Sequence, residues 1–402
     1  MKNNIFHTQD LCFAQTCDAL ESSAEMEIYM KVVIAIDSFK GSMTSMEAGN
    51  AAKKGILAAK PDAEVCLSPL ADGGEGTVDA LIEGLGAKKI PVTVTGPLGE
   101  KVSCYYGFLE ETKTAVMEMA SAAGITLVTK KDPLRASTYG VGEMIADALK
   151  RGCKNFIIGI GGSATNDGGI GMLKALGFEF FDEDGNDVGE GAAVLAKITE
   201  IRTENKNPLL SGTKFQIACD VKNPLCGKQG ATYIFGSQKG VTEEQKDQID
   251  EAMRHYADVT KESLGCDFAD CEGAGAAGGL GYAFLSYLAG ELIPGVELIL
   301  HATGLEEKMK NADVVVTGEG RLDAQTVMGK APVGVAALAK KYNAKVIAFA
   351  GSVAPEASVC NQAGIDAFFP IVRGVTTLEE AMKKENAMEN IAATAEQVFR
   401  LL

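Results

Sequence analysis

Residues 155–171 have the sequence Asn-Phe-Ile-Ile-Gly-Ile-Gly-Gly-Ser-Ala-Thr-Asn-Asp-Gly-Gly-Ile-Gly. The apolar run at 156–158 is typical of a strand buried on both faces. A glycine-rich loop follows, and residues 172–176 then indicate a helix. Glycines allow backbone N–H groups to converge on one point, and a helix start adds partial positive charge. The stretch therefore predicts a strand-loop-helix unit that binds phosphate.

The polar side chains of this loop add to its binding capacity. Ser163, Thr165 and Asn166 offer further hydrogen-bond donors, and Asp167 offers a metal ligand. A glycine-rich turn that only redirects the chain is the structural alternative.

The composition narrows the class of protein. The chain has 402 residues, which suggests two or three domains of about 100–200 residues each. Its formal net charge of -16 disfavours nucleic acid and anionic membranes as partners. No apolar stretch approaches the roughly 18 residues that span a bilayer. The 46 glycines and the lack of tryptophan suit an α/β enzyme with tight loops.

Cysteine and histidine usage limits the chemistry. The ten cysteines are scattered, none of them in a Cys-x-x-Cys pattern, and the chain has three histidines. Reduced thiols in a cytoplasmic protein are the simplest interpretation of this usage. Mechanisms that need a histidine base or several histidine ligands therefore have few candidates.

Residues 1–29 do not have the pattern of the start of a fold. They are acidic, lack periodicity and contain no signal-peptide pattern, whereas an apolar strand begins abruptly at Met30. We hypothesise that Met30 is the true initiator, and that residues 1–29 are a disordered tail or a gene-prediction extension.

Strand and helix patterns divide the remaining chain into two parts. Apolar runs alternate with helical patterns in two separated regions, at 31–36, 64–67, 311–316, 345–350 and 366–372. This alternation predicts a parallel, doubly wound sheet. Residues 88–119 instead contain short strands joined by glycine and Glu-Glu turns, which indicates antiparallel pairing. We therefore expect a second domain inserted in the first.

Local signals predict further elements. Ser45 is the expected N-cap of a helix over residues 46–59. Residues 177–188 predict a β-hairpin around an Asp-Gly turn. A single amphipathic helix is expected from Leu378 to the end of the chain.

Charged residues follow several of the predicted strands. They are Asp37 and Lys40, Asp72 and Glu75, Asp220, and Glu319, Arg321, Asp323 and Lys330. Ligands of open α/β sheets bind at the carboxyl ends of the strands, so we expect these groups to act together. Carboxylates, cations and glycine loops without histidine suit phosphoryl transfer assisted by Mg²⁺. Gly329-Lys330 is not a Walker A motif, because Ala331 stands where that motif requires Ser or Thr.

Five blocks occur in order along the chain: Ala35-Ile-Asp-Ser-Phe-Lys-Gly-Ser, Ala71-Asp-Gly-Gly-Glu-Gly-Thr, Gly159-Ile-Gly-Gly-Ser-Ala-Thr-Asn-Asp-Gly-Gly, Cys219-Asp-Val-Lys-Asn-Pro-Leu-Cys-Gly and Thr317-Gly-Glu-Gly-Arg-Leu-Asp. Together the blocks resemble the type-1 bacterial glycerate kinases, from Met30 to the C-terminus. The resemblance implies transfer of the ATP γ-phosphoryl group to D-glycerate, at the 2-hydroxyl in preference to the 3-hydroxyl.

The same resemblance implies the domain plan. A discontinuous Rossmann- or flavodoxin-like parallel-sheet domain comprises residues 30–90 and 290–402, and a second α/β domain, residues 91–289, is inserted in it. The active site is expected in the cleft between the two domains.

Charge then suggests roles within this implied site. Lys40 and Arg321 are assigned to the glycerate carboxylate or to the transferred phosphoryl group. Asp220 or Asp72 is the expected proton acceptor.

The cofactor assignments are also made by charge, because the resemblance does not settle the roles of individual residues. Asp167 or Asp323 is expected to bind Mg²⁺. We assign the nucleotide phosphates of ATP to Gly159, Gly161, Gly162, Ser163, Thr165, Asn166, Gly318, Gly320 and Lys330.

Two rival functions stay open at this stage. The pattern Gly159-x-Gly161-x-x-Ala164 also fits an NAD-dependent oxidoreductase of sugar acids, for which Glu179 would contact the ribose. A non-enzymatic binding protein for small acids is the second rival, but it leaves the carboxylates at the strand ends unused. The oligomeric state also stays open, a homodimer included.

Overall fold

The computed structural model describes residues 29–71 and 77–402. The proposed N-terminal extension, except for Tyr29, lies outside the described residues, and so do Asp72 and Glu75. The strands in the described ranges are β1 (Lys31–Ile34), β2 (Glu64–Leu67), β3 (Lys88–Thr95), β4 (Lys101–Leu109), β5 (Thr114–Glu118), β6 (Asn155–Gly159), β7 (Glu179–Phe181), β8 (Glu200–Arg202), β9 (Lys214–Ala218), β10 (Glu291–Ile293), β11 (Val314–Leu322), β12 (Lys345–Val353) and β13 (Ala367–Pro370).

The α-helices of the same ranges are α1 (Ser45–Ala59), α2 (Thr77–Leu85), α3 (Ala120–Ala123), α4 (Tyr139–Lys150), α5 (Ile170–Ala175), α6 (Ala231–Lys239), α7 (Glu243–Leu264), α8 (Ala276–Leu288), α9 (Gly295–Ala302), α10 (Leu305–Met309), α11 (Ala331–Lys340), α12 (Val359–Gln362), α13 (Leu378–Met382) and α14 (Lys384–Phe399). None of these described helices is long and apolar enough to cross a membrane.

The first sheet is parallel throughout and has the strand order β13-β12-β11-β1-β2. It combines strands from the two ends of the described chain, because β1 pairs with β2 on one side and with β11 on the other. Alternate residues of β1 point to opposite faces. Val32 and Ile34 pack with residues of α1 and α14, whereas Val33 and Ala35 pack on the α11 side. Both faces of β1 are thus buried, which explains the apolar run that follows Lys31.

The second sheet is mixed and has the order β10-β9-β6-β5-β4-β3. Strands β3, β4 and β5 are antiparallel, whereas β5, β6, β9 and β10 run parallel. Strand β6, the strand of the 155–171 stretch, lies inside this sheet between β5 and β9. The strands of this sheet extend from Lys88 to Ile293. The division of domains at 90/91 and 289/290 stays a prediction.

Helices α2 and α9 cover one face of the second sheet. Val78 and Leu81 of α2, and Leu298 and Ile299 of α9, pack in one cluster with Ile157 of β6. Helix α2 was expected to belong to the first domain, but it packs on the second sheet. Helix α9 also packs against α11, so it joins the two sheets.

Strand β11 is longer than its apolar run predicts. Its pairing with β12 continues as far as Leu322. Glu319, Gly320 and Arg321, which we expected in a loop, therefore lie in a strand. The backbone ladder with β12 explains this difference, since the polar sequence alone is typical of a turn.

The start of α1 also differs from the prediction. Thr44 is the N-cap and forms a capping box with Glu47. Ser45 donates a hydrogen bond of 2.7 Å to the carbonyl of Ile36 and accepts one of 2.9 Å from Leu70 N–H. Its side chain ties the ends of β1 and β2 together.

Two other predictions were incomplete. Strand β7 pairs with β8, and the predicted hairpin contributes a single bridge between Phe181 and Asp187. The C-terminal helix is interrupted at Lys383, whose backbone is extended (φ -59°, ψ 128°), and it forms α13 and α14.

Candidate active site

The first of two pockets lies at the carboxyl end of the first sheet. Its volume is about 660 Å³. Its charged lining comes from the ends of β1 and β11 and from the segment before α11: Asp37, Lys40, Glu319, Arg321, Asp323 and Lys330. We expected these residues to act together, and the structure places them in one pocket, because β1 and β11 are neighbours in the sheet. Asp220, which was expected with them, lines a different pocket.

The first pocket also has an apolar wall. It includes Phe39, Ile371, Leu378 and Met382. Leu378 is 76% exposed, although it is a large hydrophobic side chain. A pocket lined by both apolar and charged groups suits a ligand with an aromatic part and an anionic part. The residues of the apolar wall were not among the predicted site residues.

Glu319 organises the charged side of this pocket. It is 8% exposed and accepts hydrogen bonds from Thr326 Oγ1 (2.7 Å) and Lys330 Nζ (3.2 Å). Burial raises the pKa of the Glu319 carboxyl, and these two donors oppose the increase. Lys330 Nζ is also 3.8 Å from Asp323 Oδ1, so one ammonium group faces two carboxylates.

The cations of the first pocket differ in exposure. The Arg321 side chain is 66% exposed, with Nε 3.6 Å from Asp323 Oδ2. Lys40 is exposed as well, at the turn after β1. Both side chains can therefore reach an anion in the pocket. Gly318, by contrast, is a packing residue, because a methyl group there would lie 2.1 Å from Phe349 O.

The second pocket lies beyond β6 and β9 and has a volume of about 360 Å³. Gly161, Gly162 and Ser163 of the glycine loop line one side, and Asp220 follows β9. Asp220 Oδ1 accepts a hydrogen bond of 2.8 Å from the N–H of Gly295, the first residue of α9. The carboxylate is therefore fixed beside a helix start.

Lys239, the last residue of α6, also lines the second pocket. Its Nζ donates a hydrogen bond of 2.6 Å to the carbonyl of Thr165. Burial lowers the pKa of Lys239 to about 7, and the negative charge of Asp167 opposes this effect. Lys239 was not among the predicted site residues, because no local pattern marks a lysine that tertiary packing will bury.

The remaining polar residues of the glycine loop are buried. Asp167 is fully buried and accepts hydrogen bonds from Thr138 N and Oγ1 and from Gly169 N and Gly171 N. Burial raises the pKa of the Asp167 carboxyl, although these donors lower it. With its oxygens engaged by four donors, Asp167 does not fit the metal-ligand role that we predicted.

Thr165 and Asn166 are likewise fully buried. Asn166 Nδ2 donates a hydrogen bond of 3.0 Å to Thr232 Oγ1, which connects the loop to α6. Gly159 is buried at the end of β6. Of the predicted phosphate-binding residues of this loop, Gly161, Gly162 and Ser163 line the second pocket.

A series of contacts at the starts of α9 and α11 links residues of the two pockets. Asp220 accepts a hydrogen bond from Gly295 of α9. Val296, which follows Gly295, packs closely against Gly334 of α11. A methyl group on Gly334 would lie 2.5 Å from Val296 Cγ1. Gly334 lies one turn after Lys330, to whose carbonyl its N–H donates. Among the described residues no group of three or more His, Cys, Asp or Glu side chains is arranged to hold a metal ion.

The fold and the two pockets define a class of protein: an α/β phosphotransferase with anion-binding groups at the strand ends of two sheets. Comparison with known proteins identifies the class more closely. A family model described as "Glycerate kinase family" matches residues 32–402. The chain belongs to the glycerate kinase family.

Individual relatives are similar over nearly their whole length. The glycerate kinase of Bacillus subtilis (strain 168) is 46% identical over 371 residues, which cover 92% of this chain and 97% of that protein. The glycerate 2-kinase of Escherichia coli (strain K12) is 46% identical over 372 residues, covering 91% and 98%. A crystal structure from Salmonella typhimurium LT2, provisionally named glycerate kinase 2, has 43% identity and a TM-score of 0.85, covering 92% of this chain and 97% of that one.

These findings confirm the resemblance drawn from the five sequence blocks and the predicted α/β fold class. Family membership makes the chain an ATP-dependent kinase. It also excludes the NAD-dependent oxidoreductase and the non-enzymatic binding protein as readings of the glycine loop.

Proposed function

We propose that this enzyme transfers the γ-phosphoryl group of ATP to the 2-hydroxyl of D-glycerate, giving 2-phospho-D-glycerate. The observation that carries the proposal is the 46% identity to curated glycerate kinases over at least 97% of their length. The name of the Escherichia coli relative supports the 2-hydroxyl. Phosphorylation of the 3-hydroxyl is the alternative.

The first pocket is the proposed site of ATP. A nucleotide needs an apolar surface for its base and cations for its phosphates, and this pocket is lined by both. We assign the base to the wall of Ile371, Leu378 and Met382. Lys330 and the backbone of Gly320 then face the phosphates.

The remaining charged groups have proposed roles in transfer. Lys40 and Arg321 line the first pocket and are assigned to the transferred phosphoryl group, where they would stabilise developing negative charge. Asp220, fixed by Gly295 in the second pocket, is the proposed acceptor of the hydroxyl proton. Asp72 stays the alternative acceptor, since it lies outside the described residues.

The residues of the first pocket fit a magnesium ion. Mg²⁺ prefers hard oxygen ligands and is usually held by one or two carboxylates together with phosphates of the nucleotide, so a dedicated cluster of three acids is not required. Asp323, whose side chain is 18% exposed, offers such a carboxylate, with Glu319 beside it. Bound there, Mg²⁺ would neutralise phosphate charge.

The cellular setting belongs to the same proposal. A cytoplasmic enzyme is supported by the use of ATP and by the eight cysteines of the described residues, all of which are free thiols. A homodimer stays an open prediction, which light scattering of the purified protein can test.

The direct test is an assay with ATP, Mg²⁺ and D-glycerate in which the product is coupled to enolase. Enolase consumes 2-phosphoglycerate, so a signal without added phosphoglycerate mutase is expected. A signal that appears only with the mutase would establish the 3-hydroxyl as the acceptor. ADP release without either signal would contradict glycerate as substrate.

The proton acceptor is tested by Asp220→Asn, which should lower kcat by about 10²–10⁴. A change confined to KM would instead assign Asp220 to binding. Asp270→Asn, at an exposed turn position, is the matched control and should retain full activity.

A further inference from the structure

Lys239 is an unusual residue for a protein interior. It is 2% exposed, and buried ammonium groups are normally compensated by a carboxylate, because removal of a charge from water is costly. The hydrogen-bond partner of its Nζ is the Thr165 carbonyl, and among the described residues Lys239 forms no salt bridge. The buried carboxylate of Asp167 acts on this charge without forming an ion pair with it, so the positive charge is only partly balanced in the folded protein.

The second pocket places this charge beside a ligand-sized space. Lys239, Gly161 and Ser163 all line it. A methyl group on Gly161 would meet nothing within 4 Å, so the backbone there faces open volume. An ammonium group, a hydroxyl and an accessible backbone around one space are groups that bind an anion.

The pocket is also asymmetric in charge. Asp220 contributes a carboxylate to the lining that contains Lys239. A ligand that is anionic at one end and carries a hydroxyl at the other matches this arrangement. Its anionic group would contact Lys239, and its hydroxyl would face Asp220. A small hydroxy acid has these two groups.

The sizes of the two pockets favour the same distribution of ligands. The second pocket, at about 360 Å³, has roughly half the volume of the first, at about 660 Å³. The larger pocket has the apolar wall that a nucleotide base requires. A three-carbon acid needs neither that wall nor that volume.

We infer that the second pocket binds the hydroxy-acid substrate, with Lys239 as the counter-charge of its carboxylate and the Gly161–Ser163 backbone beside it. This inference rests on the proposed function for the identity of the acid. It also reassigns Gly161, Gly162 and Ser163 from the nucleotide phosphates to the acid.

The test compares wild-type enzyme with Lys239→Met, which keeps an unbranched apolar side chain of similar length and removes the ammonium group. Titration calorimetry with D-glycerate in the absence of nucleotide should show affinity weakened about 10–100-fold. The KM for D-glycerate should rise similarly, whereas the KM for ATP should stay within about twofold. Unchanged binding of D-glycerate would overturn the inference.

A second variant tests the same pocket in case Lys239→Met does not fold. Gln238 lines the same pocket on an exposed position, so Gln238→Glu adds negative charge without disturbing the core. It should raise the KM for D-glycerate about tenfold by charge repulsion, and an unchanged KM would count against the site. Lys154→Met is the control, because Lys154 also donates to backbone carbonyls, those of Leu209 and Ser211. Lys154 lies just before the first residue of β6, at the end of the strand away from the glycine loop.

Competition by inorganic phosphate shows which anion binds in the second pocket, the carboxylate of the hydroxy acid or a phosphate of the nucleotide. If Lys239→Met abolishes competition by phosphate against ATP and raises the KM for ATP alone, the pocket holds nucleotide phosphate and the inference is wrong. Failure of the proposed function is distinguishable, because it would appear as absence of D-glycerate phosphorylation by wild-type enzyme. Calorimetry with other small hydroxy acids would then still test the pocket.

Discussion

Lys330 Nζ lies 3.2 Å from Glu319 Oε2, at the point where the end of β11 meets the start of α11. The contact holds an ammonium group at the edge of the first pocket while it compensates a buried carboxylate. Lys330→Met should therefore have two effects. The KM for ATP should rise about tenfold, because a phosphate contact is lost, and stability should fall by about 1–2 kcal/mol, because Glu319 loses a partner.

Lys340→Met is the matched control for this prediction. Lys340 lies at the opposite end of α11 and pairs with Asp366 at 2.5 Å on the surface. Its loss should change stability by less than about 1 kcal/mol and leave both KM values unaltered. An equal rise in the KM for D-glycerate and for ATP in Lys330→Met would speak against a nucleotide-specific role.

The buried carboxylate of Asp167 gives a prediction about stability. Asp167→Asn replaces one acceptor oxygen by an NH₂ group that must face existing donors, among them Thr138 N–H and Gly171 N–H. We expect the free energy of unfolding to fall by about 2–3 kcal/mol, measured by urea denaturation. Asp184→Asn, in the exposed turn after β7, should change it by less than about 0.5 kcal/mol. Wild-type stability in Asp167→Asn would restore the case for a metal-ligand role.

Burial of Lys239 predicts a pH dependence. Its pKa is about 7 in the folded protein against 10.5 for an unperturbed lysine, so the unfolded chain binds more protons between these values. The stability contribution of this group is fully present above pH 10.5 and is lost as the pH falls to about 7. The negative charge of Asp167 raises the pKa of Lys239 and so partly opposes the effect of burial.

The measurement is the difference in the free energy of unfolding between wild type and Lys239→Met. The titration of all other groups is common to both proteins and cancels in this difference. From pH 7 to pH 9 the difference should move in favour of wild type by about 2 kcal/mol. A difference that does not change with pH would mean that Lys239 stays charged in the folded protein.

The strands could be predicted where the core alone determines them. The bounds of β6 (Asn155–Gly159) enclose the predicted apolar run at 156–158, all of which is buried. Residues 319–321 were misassigned to a loop, because their strand conformation depends on pairing with β12, and the sequence of β11 does not contain that information.

The site shows the same division between local and tertiary information. Lys40 and Arg321 could be brought together from the sequence, since the carboxyl ends of neighbouring parallel strands meet. Asp167 has the sequence context of a metal ligand, but Thr138, 29 residues earlier, occupies its carboxylate. Lys239 acquires its position only from the packing of α6 on the glycine loop.

Two glycines near the second pocket separate packing from binding. Gly278 has φ +71°, and a methyl group there would lie 2.2 Å from Thr165 O, so Gly278→Ala should lower stability by about 2–4 kcal/mol. Gly161→Ala meets no atom within 4 Å, so its stability should stay within about 0.5 kcal/mol of wild type. The added methyl group enters the second pocket, however, and should raise the KM for D-glycerate several-fold. Urea midpoints and KM values measured on the same preparations check both expectations. Normal D-glycerate kinetics in a folded Gly161→Ala enzyme would mean that the acid binds away from this loop.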